Sequence, residues 1–222
     1  MYIWIATLLC LAAVGCDPNA PTGGGESVPE GCPDTGGPFV RGRVLVPDLG
    51  GTENRKTEDG GAEDGAASGA TASEERREVP ARDVSVTLTG GGGEATTRTD
   101  AKGRWCLDLG DREPGMDLVA RATVGGTTLR RPVITREGQI ISVRSEAVLR
   151  ILEQKLDDPS TVPPAAFLNL EAVVSTATDL LNPVNWRGAE SIDAVVATIV
   201  DRIAEDPRFA NTLKTLKARK KE

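Results

Sequence analysis

The residue types that most often carry catalysis are poorly represented in this chain of 222 residues. Histidine is absent, which removes the commonest general base, the commonest zinc ligand and every serine–histidine or cysteine–histidine nucleophile pair. The side chains left with distinctive chemistry are four cysteines, Cys10, Cys16, Cys32 and Cys106. Because few common enzyme mechanisms operate without histidine, we expect no catalytic residues, no metal site and no cofactor.

Other patterns match functional motifs only in part. The glycine-rich run 89–94 is not followed by Lys-Ser or Lys-Thr, as a phosphate-binding loop would be. Asp100 and Gly103 suit the two ends of a backbone turn without any metal. A solvated helix face, and not an acid–base pair, is the expected environment of three later carboxylates, Asp193, Asp201 and Glu205.

The N-terminal 16 residues form an uncharged, largely apolar run that ends in small residues immediately before Cys16. Such a run has the outline of an export signal. It is shorter than the roughly 20 residues that a transmembrane helix needs, so a permanent membrane span is the weaker interpretation.

The end of that run, Ala13-Val14-Gly15-Cys16, resembles the lipobox of bacterial lipoproteins. The resemblance implies that residues 1–15 are a signal peptide and that lipid, including fatty acids such as palmitate, is attached to Cys16. Lipid on Cys16 would hold the protein to a membrane of the bacterial cell envelope, either the outer membrane or the periplasmic face of the inner membrane. A plain secretory signal, with Cys16 an ordinary thiol, is the alternative.

If Cys10 is removed with the signal peptide and Cys16 carries lipid, Cys32 and Cys106 remain as a pair. An even pair in an oxidising compartment predicts a disulfide that clips the segment around Cys32 onto the strand containing Cys106. Two free thiols are the alternative.

Residues 16–37 are rich in glycine, proline and small polar residues, so we expect a flexible tether. The net charge is −7, and the basic residues between 214 and 221 are the one basic cluster in the sequence. Because phosphate binding requires a basic surface, we expect no nucleic-acid partner.

Alternation of apolar and polar residues with period two recurs from residue 39 to residue 144. This period predicts an all-β region in which each strand has a buried and a solvated face. Seven short strands separated by turn residues favour a sandwich. The predicted strands cover residues 40–46, 84–88, 95–99, 105–109, 116–124, 127–135 and 139–143.

Three segments carry a further resemblance: FVRGRVLVPD from Phe39, ARDVSVTLTG from Ala81 and TTRTDAKGRWCLDL from Thr96. Together they are similar to the carboxypeptidase regulatory-like family, whose fold is a transthyretin-like or prealbumin-like sandwich. The resemblance implies a small module, usually without catalytic residues and often found in bacterial envelope proteins.

Residues 50–79 form a long insertion between the first two predicted strands, rich in glycine, alanine and both charges. We expect a disordered loop, because such a composition buries little apolar surface. A tolerated insertion is favoured over a partner-binding arm, since loop closure costs rise slowly with length. The clusters Glu58-Asp59 and Glu63-Asp64 lack the spaced ligands of a calcium loop.

The period changes to about 3.6 residues after Ser145, which we expect to be the N-cap of the first helix. Further amphipathic helices are predicted to begin near Pro163, Ser191 and Pro207. These helices would form a small bundle over residues 145–222, with Trp186 buried inside it.

The predicted fold class is therefore α+β: a seven-stranded antiparallel β-sandwich, residues 38–144, followed by a bundle of three to four helices. The predicted function is a non-catalytic, membrane-anchored envelope lipoprotein that binds a protein or a surface polysaccharide. The alternative is an accessory subunit of an envelope enzyme or transport complex, with a site in the helical half.

Overall fold

Strands precede helices in the computed structural model, which describes residues 32, 37–49, 78–178, 186 and 188–219. This order confirms the predicted α+β class. The strands are β1 Phe39–Pro47, β2 Glu78–Pro80, β3 Ser85–Gly90, β4 Gly93–Arg98, β5 Arg104–Asp108, β6 Gly115–Val124, β7 Thr127–Val133 and β8 Gln139–Ile141. The helices are α1 Val143–Lys155, α2 Pro164–Thr176, α3 Ile192–Ala204 and α4 Pro207–Arg219.

The strands form two four-stranded sheets. In the first, β1 pairs antiparallel with β2 and β5 and parallel with β8. In the second, the order is β4-β3-β6-β7 and every pair is antiparallel. The parallel contact of β8 with β1 departs from the wholly antiparallel arrangement predicted from the sequence.

The apolar residues that the period-two alternation predicts to face the core are buried in the structure. Val86 and Leu88 of β3 are fully buried, as is Trp105 of β5. A Cβ at Gly42 of β1 would lie 2.0 Å from the Gln139 carbonyl oxygen of β8 and 2.7 Å from the Trp105 ring. The glycine therefore allows both the β8 backbone and the indole to approach β1 closely.

The number of strands and the end of the predicted loop differ from the sequence prediction. The described residues contain eight strands instead of seven, because Glu78–Pro80 pairs with β1. The end of the predicted loop 50–79 thus belongs to the first sheet; residues 50–77 lie outside the described part of the chain. Single-sequence alternation cannot reveal β2, since three residues are too few to show a period.

The predicted N-cap of the first helix was wrong by one helical turn. Ser142, and not Ser145, is the N-cap, and its side chain accepts hydrogen bonds from the backbone N–H groups of Arg144 and Ser145. Ser145 completes a capping box, because its Oγ accepts from the Ser142 N–H at 3.1 Å. Both serines are buried, and Ser145 also donates to the Arg130 carbonyl of β7 at 2.8 Å.

One cluster of buried apolar side chains includes residues of both sheets and of the helices. Val148 and Leu152 of α1 are fully buried, as are Phe167 of α2 and Ile199 of α3. Trp186 is fully buried as well, which confirms the predicted burial of this side chain. Because this core is continuous, the division into domains at residues 144 and 145 stays a prediction.

Of the helices in the described ranges, none has both the length and the apolar composition needed to cross a bilayer. The predicted signal peptide, most of the tether and residues 220–222 lie outside those ranges.

Replacing the Ser142 cap tests the revised start of α1. We expect Ser142→Ala to lower the free energy of unfolding by about 1 kcal/mol, because two backbone N–H groups lose their acceptor. Urea denaturation followed by circular dichroism measures the change. Ser85→Ala, at an exposed strand position, is the control, and an equal loss in both variants would contradict the capping role.

Candidate functional site

Strand β5 positions Cys106 for its predicted partner. Pairing of β5 with β1 puts Cys106 opposite Arg41, on the face away from the buried Trp105. Cys32 and Cys106 are joined as a disulfide, with their Cα atoms 6.0 Å apart. The pairing predicted from the sequence is therefore present in the structure.

The disulfide attaches Cys32 to β5 of the first sheet. Cys32 is largely buried, at 9% exposure, and its Sγ accepts a hydrogen bond of 3.2 Å from Arg41 Nε. Close by, the Leu109 N–H donates to the Pro38 carbonyl. The disulfide thus holds Cys32 to β5, and the backbone hydrogen bond holds Pro38, just before β1, to the end of β5.

The turn between β4 and β5 is built on Asp100. Its Oδ1 accepts from the backbone N–H groups of Lys102 and Arg104, both at 2.8 Å, and its Oδ2 accepts from Arg104 Nε at 2.7 Å. Burial acts to raise the pKa of Asp100, but these hydrogen bonds and the Arg104 charge together lower it. The carboxylate serves the turn, in agreement with the sequence interpretation.

A buried carboxylate on α1 connects the second sheet to the helices. Glu146 is only 2% exposed, and its two oxygens accept from Nε and Nη2 of Arg130 at 3.0 and 2.9 Å. Arg150 Nε donates to the same carboxylate at 2.9 Å and its Nη2 reaches Asp193 of α3 at 2.7 Å. Glu153 adds a second carboxylate to Arg130 at 2.6 Å.

These contacts stabilise the charged forms of the two arginines. Hydrogen bonds to Glu146 and then to Glu153 raise the pKa of Arg130 above its ordinary value, although burial acts the other way. Burial also opposes the charged form of Arg150, yet Glu146 and Asp193 raise its pKa. Because Glu146 accepts hydrogen bonds from two cations, its buried charge is compensated.

A second arginine of β7 points inward. Arg131 is 5% exposed; its Nε donates to Gln139 Oε1 at 3.0 Å and its Nη1 donates to the Ile140 carbonyl at 3.2 Å. Nη1 also donates to Glu171 of α2, and the guanidinium lies 5.8 Å from the centre of the Phe167 ring. Arg131 therefore joins both sheets to α2.

Arg144 of α1 makes a similar connection, to β2 of the first sheet. Arg144 Nη1 donates to Glu78 of β2 at 2.9 Å, and its guanidinium lies 5.3 Å from the centre of the Trp186 ring. A cation over an indole face is favourable when both groups are removed from water. The Trp186 side chain is thus a packing partner of the Arg144–Glu78 pair.

A half-open cavity of about 410 Å³ lies beside the turn between β3 and β4. Arg112 extends along it and donates to the carbonyls of Leu109 at 2.8 Å and Asp108 at 3.0 Å. The guanidinium thereby holds the loop between β5 and β6. The cavity is lined by Gly91, Asp111, Arg112, Glu113, Pro114, Asp117 and Leu118.

The residues singled out from the sequence lie in different environments in the structure. Cys16 lies outside the described residues, so its lipidation is a prediction. Asp193 is exposed but paired with Arg150, whereas Asp201 lies exposed on α3 and Glu205 is the C-cap of that helix. Among residues 32, 37–49, 78–178, 186 and 188–219, no group of three or more acidic or cysteine side chains could hold a metal ion.

None of the arginine–carboxylate contacts was predicted from the sequence. The four-residue spacing of Glu146 and Arg150 is the local signal that could have indicated one of them. The contacts of Arg130 and Arg131 were not visible, because they join residues that are far apart in sequence. Local patterns carry no information on which strand meets which helix.

No family model matches this chain, and no curated protein matches it either.

Removal of the disulfide tests its contribution to stability. The two cysteines are separated by 74 residues, and on the chain-entropy model a loop of this length contributes about 4 to 5 kcal/mol. We expect Cys32→Ser/Cys106→Ser to lower the free energy of unfolding by that order in denaturant titrations. Reductant should destabilise the wild-type chain but not the double variant, and an unchanged wild-type midpoint would contradict the bond.

The Asp100 turn predicts an acid-sensitive contribution to stability. Its folded pKa lies below the unfolded value of about 3.9. The stabilisation by the Asp100 carboxylate is therefore fully present above the unfolded pKa and is lost as the pH falls through the folded pKa. Asp100→Asn should lower stability at pH 7 and much less at pH 2 to 3, measured by denaturant titration at each pH. Lys102→Ala is the control, because only the Lys102 backbone contacts Asp100, and equal losses of Asp100→Asn at both pH values would contradict this assignment.

Proposed function

We propose that this protein is a non-catalytic lipoprotein of the bacterial cell envelope, held to a membrane by lipid on Cys16. Its body would be a carboxypeptidase regulatory-like β-sandwich with a C-terminal helical bundle. The body would bind a protein or a surface polysaccharide. The observation that carries the proposal is the Cys32–Cys106 disulfide, considered together with the export-type sequence before Cys16.

The disulfide supports export because structural disulfides persist in oxidising compartments and are rare in the cytosol. Cys32 is largely buried and its sulfur contacts Arg41, so the bond is part of the packed structure. An exported chain whose apolar leader ends at Cys16 fits an envelope lipoprotein better than a cytosolic enzyme.

The distance between anchor and body also fits this role. The glycine- and proline-rich segment between Cys16 and Cys32 spans at most about 55 Å when fully extended. The disulfide would attach the tether, residues 16–37, to the first sheet at Cys32, so the body could move near the membrane surface without leaving it.

The chemistry of the body favours binding over catalysis. Glu146 and Glu171, with Glu78, are engaged by arginines that connect strands and helices. Carboxylates held in this way stabilise the packing of helices on sheets, and their positions are explained without a reaction.

The outer face of the second sheet offers groups suited to a polar partner. Thr87 and Thr96 share a hydrogen bond across β3 and β4 at 3.2 Å, and Thr123 and Thr128 share another across β6 and β7 at 3.0 Å. Arg121 is exposed among them. Hydroxyl and guanidinium groups on a sheet can hydrogen-bond the hydroxyl or carboxylate groups of a polysaccharide or a polar protein surface.

Lipidation at Cys16 is the decisive test. In a bacterial host, the full chain should incorporate labelled palmitate, and intact mass spectrometry should find a mature protein that begins at a lipid-modified Cys16. Cys16→Ser should abolish the label, because the thiol is the attachment point.

Cys10→Ser is the matched control, since it changes the other leader cysteine and should leave lipidation intact. An unlipidated product released to the soluble fraction, or a mature N-terminus other than Cys16, would reject the anchor. Retention of the label in Cys16→Ser would also reject it.

A further inference from the structure

In the part of the chain that the structure describes, the second sheet has one edge covered by a helix and one edge to which no strand is paired. At β7, the Arg130 carbonyl accepts a hydrogen bond from Ser145 of α1, and Arg130 itself is bound by Glu146. At the other end of the strand order, β4 pairs with β3 on one side, and no described strand pairs with its other side. Open edges with free backbone groups favour pairing with a further strand.

Strand register identifies which β4 residues face that edge. The Thr99 N–H donates to the Val84 carbonyl. In an antiparallel pair every second residue hydrogen-bonds to the neighbouring strand, so the N–H and C=O groups of Thr97 and Ala95 also point toward β3. The backbone N–H and C=O groups of the intervening residues then point away from β3. These residues, Glu94, Thr96 and Arg98, are all exposed.

We propose that the β4 edge pairs antiparallel with the β4 edge of a second copy of this chain, about a twofold axis at Thr96. In this register Thr96 lies opposite itself, and Glu94 lies opposite Arg98 of the other copy. Every outward-facing residue of the strand finds a backbone partner. Each copy supplies the same surface, as a closed twofold dimer requires.

Charge complementarity singles out this register. Glu94 and Arg98 lie on the same face of β4, on either side of Thr96, so the twofold axis puts opposite charges across from each other twice. Cross-strand pairs of opposite charge stabilise a sheet, and like charges directly opposite destabilise it. Shifting the axis to Ala95 puts Glu94 opposite Thr96 and Arg98 opposite Gly92, so both charged residues lose their partners. Shifting it to Thr97 puts Arg98 opposite Thr96 and Glu94 opposite Asp100, which is a like charge.

The side chains on the other face of β4 allow the approach. Ala95 and Thr97 are half-buried and small, and the twofold axis puts Ala95 opposite Thr97 of the second copy. In the single chain, Arg98 pairs at 2.7 Å with Asp83, and both side chains are largely exposed. Exposed ion pairs of this kind contribute little, so Arg98 can exchange Asp83 for Glu94 of the partner.

The dimer would make one eight-stranded sheet from two four-stranded ones. A twofold axis perpendicular to the sheet keeps the outer faces of both copies on the same side. The hydroxyl-bearing face with Thr87 and Thr128 would therefore double in width. This inference does not depend on lipid at Cys16.

Cysteine cross-linking of the purified full chain tests the pairing. Facing residues in hydrogen-bonded antiparallel pairs have Cα atoms about 5.5 Å apart, within the range of a disulfide. Under mild oxidation Thr96→Cys should give a covalent dimer, and tryptic mapping should find two copies of peptide 83–98 joined through residue 96. Thr128→Cys, at an exposed threonine of β7 on the same face, is the matched control and should give only background cross-linking.

Charge reversal separates specific pairing from random collision. In the Thr96→Cys chain, adding Glu94→Arg should lower the cross-linking yield about tenfold, because arginines would face each other twice. Adding Arg98→Glu as well restores opposite charges and should restore the yield. All three positions are exposed, and circular dichroism will verify that each variant is folded.

Two results would contradict the proposed β4 pairing. One is cross-linking of Thr96→Cys no stronger than that of Thr128→Cys. The other is a yield in the doubly reversed chain that stays as low as in Glu94→Arg, because the charge register would then be irrelevant.

Discussion

The structure depends on the buried carboxylate of Glu146. An uncompensated charge at 2% exposure would cost several kcal/mol, so Glu146 must remain bonded to Arg130 and Arg150. Arg130 belongs to β7, and Arg150 carries the connection on to Asp193 of α3. Because hydrogen bonds are directional and apolar contacts are not, this carboxylate specifies how α1 lies against the sheet.

Two other arginines, at neighbouring positions, also pair with carboxylates and connect strands to helices. Arg131 connects β7 to Gln139 and to Glu171 of α2, whereas Arg144 connects α1 to Glu78 of β2. Apolar burial supplies most of the stability of such a body, and the arginine pairs give the contacts between layers their orientation. A body assembled in this way suits a module that displays fixed surfaces from a tether, as proposed for an envelope lipoprotein.

Prediction from sequence succeeded where the determinant is local. The alternation of Val86 with Leu88, the turn at Asp100 and the helical spacing around Ile199 each lie within a few residues, and all three match the structure. The error at Ser145 has a tertiary cause. Two serines three residues apart both suit an N-cap, and packing against the Arg130 carbonyl decided which one starts the helix and which one completes the capping box.

The sequence by itself determined the α+β order and the core faces of most strands, because period and composition are properties of neighbouring residues. Only the tertiary structure decided that β8 runs parallel to β1, that β2 joins the first sheet and that Glu146 lies between two arginines. Each of these contacts joins residues distant along the chain. Their pairing depends on which surfaces meet when the apolar core closes, and that choice has no local signature.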